Sequence, residues 1–213
     1  MSLLSLFPLP NVVLFPGALL PLHIFEPRYR AMVGDALASD RRIGMVLLRA
    51  GFERDYDGRP PIHGVGCSGV IVHATRLDDG RYHILLRGLD RFRVLSEDHE
   101  RPYRRATIEE LPEPPLDEAG RRRLADLRRQ LEERIGLDRG APGEGRSDAA
   151  RQLGTLPDPE FVHVIAQHLD LEPIEKQALL ECETIVDRGH ALLELLEMRR
   201  MTAHLPPGPG AAH

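Results

Sequence analysis

The sequence predicts a mixed α+β protein, rich in strands in its first half and helical in its second. Three observations predict this division. Charge and composition change near residue 110, an Asp-Gly turn sits between apolar runs of strand length, and leucines recur at helical spacing beyond residue 116. Residues 1–110 hold 15 basic and 14 acidic side chains, whereas residues 111–213 hold 13 and 19. The change falls on Leu111-Pro112-Glu113-Pro114-Pro115. Each proline there fixes its own φ and turns the residue before it away from helix. A boundary placed at this point gives a β-rich part over 1–111 and a helical part over 112–205. Pro206-Pro207-Gly208-Pro209-Gly210 then opens a disordered tail over 206–213.

Taken in order, Leu19–Phe25 is an apolar run interrupted by Pro21 and His23, which suits an edge strand, because proline cannot donate to a ladder. Pro27–Ala38 reads as a helix with proline in its first turn and Tyr29, Met32, Val33, Ala36 and Leu37 on one face. Arg42–Arg49 is a strand-length apolar run. Val70–Leu77 and Arg81–Arg87 flank Asp78-Asp79-Gly80, a hairpin signal, since the tight turn needs a positive φ. On the return strand Tyr82, Ile84 and Leu86 share one face, opposite Arg81, His83 and Arg87. Phe92–Leu95 is expected to begin a further strand and Tyr103–Leu111 another. Together these form a small curled sheet or pseudo-barrel. In the second half, Leu124, Leu127, Leu131 and Ile135 mark a helix over Leu116–Ile135. A flexible linker is expected near 136–157, glycine-rich over 136–147. Asp158-Pro159-Glu160 starts a helix with a cap, a first-position proline and an acid at the positive end of the dipole. Pro173 opens another helix, and Cys182–His204 forms the last.

Composition excludes several classes. With 42% hydrophobic and 29% charged residues, the chain has the balance of a folded protein, but with 5% aromatics and no Trp its core must be aliphatic. No apolar run reaches the roughly 18 residues of a membrane span. Met1–Pro8 lacks the basic opening of a signal peptide. Cys67 and Cys182 have no CxxC partners, which argues against a disulfide framework or thiolate zinc site and for a reducing compartment, the cytoplasm.

The residues that carry chemistry elsewhere are absent or badly placed. No GxxxxGK[ST] occurs, and Lys176 is the single lysine against 27 arginines. That removes a P-loop ATPase. Lys176 has Glu172 and Glu175 as neighbours, which places it on a solvated helix face, so a Ser–Lys dyad is not built around it. Gly64-Val65-Gly66-Cys67-Ser68-Gly69 matches GxGxxG in letters only, because a strand follows where a dinucleotide site needs a helix N-terminus. Its expected role is a bulge or tight sheet curvature. Cys67 is expected to be a small buried hydrophobe. No HExxH occurs; His163 and His168 fall on different helix faces, and His73 and His83 lie near but not directly opposite each other across the hairpin. No catalytic residue, metal or cofactor is assigned. Arg87, Arg91, Arg93, Arg104 and Arg105 could form a basic strip for RNA, but Glu97, Asp98, Glu100, Glu109 and Glu110 interleave with them.

The run Phe7-Pro8-Leu9-Pro10-Asn11-Val12-Val13-Leu14-Phe15-Pro16-Gly17, followed by Leu20-Pro21-Leu22-His23-Ile24-Phe25-Glu26-Pro27-Arg28-Tyr29-Arg30, resembles the opening of the N-terminal, substrate-binding domain of Lon proteases. Val65–Gly69, Asp79-Gly80-Arg81-Tyr82, Gly88–Val94 and Glu175-Lys176-Gln177-Ala178-Leu179-Leu180-Glu181 extend the resemblance over about residues 3–200. It implies a PUA-like β-rich pseudo-barrel followed by a helical bundle. It also implies a role: binding unfolded or degron-bearing polypeptide, with a separate protease or chaperone as partner. The ATPase and peptidase modules of Lon have no counterpart here, so the expectation is a free-standing, non-enzymatic member. An RNA-binding module of PUA-like fold is the alternative. Within the motif Phe15, Leu20, Leu22, Ile24, Phe25 and Tyr29 are expected in the core. For peptide contact the residues chosen are Phe52 and Tyr56, aromatics on the polar loop Ala50–His63 with few core partners.

Overall fold

Ser2–Leu9 forms a strand, β1, where the sequence shows no alternation. β1 pairs in parallel with β3 (Arg42–Leu47) and antiparallel with β6 (Arg104–Leu111), and both its faces are covered: Leu4 and Leu6 join the core cluster, while Phe7 on the other face packs on Tyr29 with ring centroids 4.5 Å apart. Leu4, Leu6, Phe7 and Pro8 are all buried, and a strand covered on both faces loses its period of two. The computed structural model describes residues 2–51, 58–136 and 148–203.

The six strands run in the order β2-β5-β4-β3-β1-β6, and β6 returns to pair with β5. Five strands therefore close on themselves, and β2 (Leu19–Ile24) lies outside the ring on β5. This is the expected pseudo-barrel. Its interior is filled by Leu4, Leu6, Val46, Phe92, Ala106 and Ile108. Gly66 has a packing role: a Cβ there would lie 2.4 Å from the Met45 carbonyl and 2.7 Å from Phe92 Cζ. The register slips between Cys67 and Gly69, so the glycine-rich segment curves a strand as expected and cradles no phosphate.

β4 (Val65–Arg76) and β5 (Tyr82–Asp98) form the hairpin predicted around Asp79-Gly80, with Gly80 at φ +80°. One expectation is corrected here. Phe92–Leu95 does not begin a new strand, because β5 runs on through Gly88 for 17 residues. The chain does not need a turn there, since β5 exchanges its partners instead, pairing with β2 over Tyr82–Arg87 and with β6 over Arg91–Asp98. Helix α1 (Pro27–Leu37) has proline in its first turn and buries Tyr29, Met32, Val33 and Ala36, as its spacing predicts.

The helical half comprises α2 (Glu118–Ile135), α3 (Asp148–Thr155), α4 (Asp158–His168), α5 (Pro173–Glu181) and α6 (Ile185–Ala203). Asp117 caps α2 by accepting from Gly120 N–H at 2.6 Å. Residues 148–155 were expected within a linker and are instead helical. Asp158 opens α4 where the sequence places a helix start, and its carboxylate accepts from Arg128 at 2.9 Å.

Two compact units emerge, and they do not follow chain order. The first holds residues up to Pro114 together with His163–Glu181; the second holds Pro115–Val162 and the chain from Cys182. The expected division is 1–111 and 112–205, whereas by contacts 163–181 groups with the strands. Side-chain amides explain this. Gln167 donates to Val13 O and accepts from Phe15 N–H, while Gln177 donates to Val65 O at 3.0 Å. In the second unit α2 packs against α6, with Leu124, Leu127 and Leu131 buried and Arg134 paired to Glu197.

Candidate functional site

The first unit exposes apolar side chains on its edge strand β2 and on β4. In β2, Leu20, Leu22 and Ile24 turn inward, and alternation sends Leu19, Pro21 and His23 outward. Leu19 is 48% exposed, Phe25 just beyond the strand 59%, and Val72 on β4 44%. Phe25 was expected in the core, so this is a correction: Ile24 takes the inward place and Phe25 must face the other way. His23 and His83 are directly opposed on β2 and β5, with ring centroids 4.8 Å apart, and His23 lies 5.9 Å from Phe25.

The backbone of β2 is also available. Among the described residues β2 pairs with β5 alone. Gly88 N–H donates to Ala18 O at 2.9 Å, so the antiparallel alternation directs Leu20, Leu22 and Ile24 toward β5. The N–H and C=O groups of Leu19 and His23, and the C=O of Pro21, face away from it. An exposed edge beside an apolar face has the two components used in strand addition: main-chain hydrogen bonds for affinity and surface for alternate side chains.

The other sequence-derived candidates fall into place differently. Phe52 and Tyr56 lie outside the described residues. Cys67 is fully buried, its thiol 3.3 Å from Ser68 O. Lys176 is half-buried and not on a solvated face; its Nζ donates to Gln167 O at 2.7 Å, at the C-terminal end of α4. Burial lowers the Lys176 pKa, and Asp170 opposes that shift. His73 pairs in register with Leu85, while Thr75 faces His83, so the two histidines are offset as expected. Among the described residues no group of three or more His, Cys, Asp or Glu is placed to hold a metal ion. Of the five arginines considered for RNA, Arg87 is exposed and the other four are buried or paired with carboxylates. Arg91 and Arg104 are buried, Arg93 pairs with Glu109 at 3.0 Å, and Arg105 pairs with Asp98 at 2.6 Å.

No described helix is long and apolar enough to cross a membrane. The fold is that of known Lon N-terminal domains. It matches the N-terminal domain of the Mycobacterium avium complex Lon protease with a TM-score of 0.69 at 17% identity, over 96% of this chain and 100% of that one. It also matches a Lon N-terminal domain protein from Xanthomonas campestris with a TM-score of 0.58 at 21% identity, over 97% of this chain and 100% of that one. In sequence, the family described as the ATP-dependent protease La (LON) substrate-binding domain matches residues 4–198, and the chain belongs to that family. It is 30% identical to the Lon protease of Anaeromyxobacter dehalogenans (strain 2CP-C), over 93% of this chain and 23% of that protein. To Lon protease 2 of Myxococcus xanthus it is also 30% identical, over 93% of this chain and 24% of that protein. The chain thus spans about a quarter of the length of these curated relatives. What it matches is the substrate-binding domain.

Proposed function

We propose that this chain is a non-catalytic binding protein for unfolded or degron-bearing polypeptide, acting in the cytoplasm and passing what it holds to a separate protease or chaperone. The observation that carries the reading is the bare edge of β2 beside the exposed Leu19 and Phe25. Backbone hydrogen bonds recognise any extended chain regardless of its sequence. An apolar face adds selectivity for side chains that folded proteins conceal. Phe52 and Tyr56 are proposed as further contacts on the same client. The chain's two cysteines, neither with a CxxC partner, support a reducing compartment.

Fluorescence anisotropy with labelled unfolded casein tests this. The double variant Leu19→Ser, Phe25→Ser is expected to bind about tenfold more weakly, since two side chains lose apolar contact with the client. Its melting temperature should hardly move, because both side chains are about half exposed. Unchanged affinity in this variant and in Phe52→Ala, Tyr56→Ala would overturn the reading. The RNA-binding alternative has less support, four of its five arginines being buried or paired with carboxylates. Steeply salt-dependent RNA binding, with no binding of unfolded protein, would favour it.

A further inference from the structure

The first unit contains a cavity of about 240 Å³ whose lining includes Tyr29, Leu48, Tyr103 and three arginines, Arg28, Arg59 and Arg104. Arg104 is 6% exposed, and its buried Nη1 has no hydrogen-bond partner among the described residues. Among the described residues its ion pair is long, 3.4 Å from Nε to Glu97 Oε2, and the same oxygen lies 3.9 Å from Arg59 Nη1. One carboxylate oxygen is therefore divided between two guanidiniums, of which Arg59 also donates to Asp98 O at 3.1 Å, while Arg28 Nε donates to Glu26 at 2.9 Å. Burial lowers the Arg104 pKa; Glu97 opposes this, while Arg59 and Arg28 add to it. A buried cation in such surroundings is costly unless an anion answers it. Arg28 and Tyr29 also stand in the first turn of α1, the positive end of that helix.

We propose that this cavity is an oxyanion site that receives a carboxylate carried on a small apolar body, supplied by the last residue of a polypeptide with a free C-terminus. Guanidinium planes match a planar carboxylate, and Tyr29, Leu48 and Tyr103 give apolar contact to the side chain beside it. The volume is below the roughly 300–1,000 Å³ of ordinary small-molecule pockets, which suits a chain end. The source of the carboxylate rests on the polypeptide-binding reading; the oxyanion site itself does not.

The test uses the full chain and a fluorescein-labelled decapeptide ending in leucine, as free acid and as amide. N-acetyl-leucine and inorganic phosphate serve as competitors. The acid is expected to bind tenfold or more tighter than the amide, the size of about one charge-assisted hydrogen bond. N-acetyl-leucine should compete and phosphate should not. Arg104→Met should abolish the acid preference. Arg59→Gln should reduce it severalfold, and provides the reading if Arg104→Met does not fold. Equal binding of acid and amide overturns the carboxylate site while leaving polypeptide binding intact. Displacement by phosphate as effective as by N-acetyl-leucine overturns it too. Binding of N-acetyl-leucine with neither peptide form bound supports the oxyanion site and removes the polypeptide reading instead.

Discussion

Arg128 in the second unit and Arg104 in the first are both guanidiniums withdrawn from water, and the protein surrounds them in opposite ways. Arg128 donates to Glu132 and Asp158 and to the carbonyls of Leu153, Gly154 and Leu156. Its Cζ lies 4.7 Å from the ring centroid of the fully buried Phe161. Burial alone would lower its pKa, but the hydrogen bonds to Glu132 and Asp158 outweigh that and raise it. Arg104 has a shared carboxylate, an unanswered Nη1 and two neighbouring cations. A saturated arginine ties a chain connection together, here the turn from α3 into α4. An unsaturated one beside a cavity is a place where something else is expected to bind.

Three measurements sharpen or break this contrast. The largest effect is expected for Arg128→Leu, which leaves three carbonyls and two carboxylates without their donor. It should cost about 2–4 kcal/mol in urea unfolding. A loss below about 1 kcal/mol would show the cluster to be surface decoration. Arg104→Met should change stability by less than about 1 kcal/mol, because removing a poorly answered buried charge offsets the lost pairing with Glu97. A loss as large as that of Arg128→Leu would erase the distinction. The smallest effect concerns Tyr103, on the rim of the same cavity, whose hydroxyl donates to Asp35 at 2.6 Å. Burial raises its pKa, and the hydrogen bond to Asp35 adds to the shift. Above pH 10 the unfolded phenol ionises while the folded one keeps its proton, so the unfolded state binds fewer protons and stability falls as pH rises. Tyr103→Phe should flatten that part of the profile between about pH 9.5 and 11. An unchanged slope would remove Tyr103 from the cavity's electrostatics.

Much of the fold is legible in the sequence because its cues are local. Pro21 and His23 mark β2 as an edge, Gly80 takes the positive φ of the hairpin, and leucine spacing marks α2. The features that are not legible depend on distant partners. β1 lacks alternation because Leu4 and Leu6 face the core cluster while Tyr29 covers Phe7 on the other face, and β5 passes through Gly88 because it changes neighbours there. Segment 163–181 groups with the strands through Gln167 and Gln177, whose acceptors lie more than a hundred residues away in the chain. The candidate sites divide in the same way. Phe25 could have been assigned outward by continuing the alternation of β2 past Ile24. Arg104 reads as one charge on an alternating strand, and only the closed ring places it beside Arg28 and Arg59.

The bare edge of β2 would also be a hazard in a crowded cell, since whatever pairs with a guest strand can pair with another copy of the same chain. Pro21 works against this. It removes one outward N–H midway along the edge, so an incoming strand meets a gap between the donors of Leu19 and His23. A transient client tolerates such a break at the loss of one bond. A growing stack of identical chains would meet the same break at every junction. The proline that identifies an edge in the sequence therefore also favours temporary guests over polymerisation.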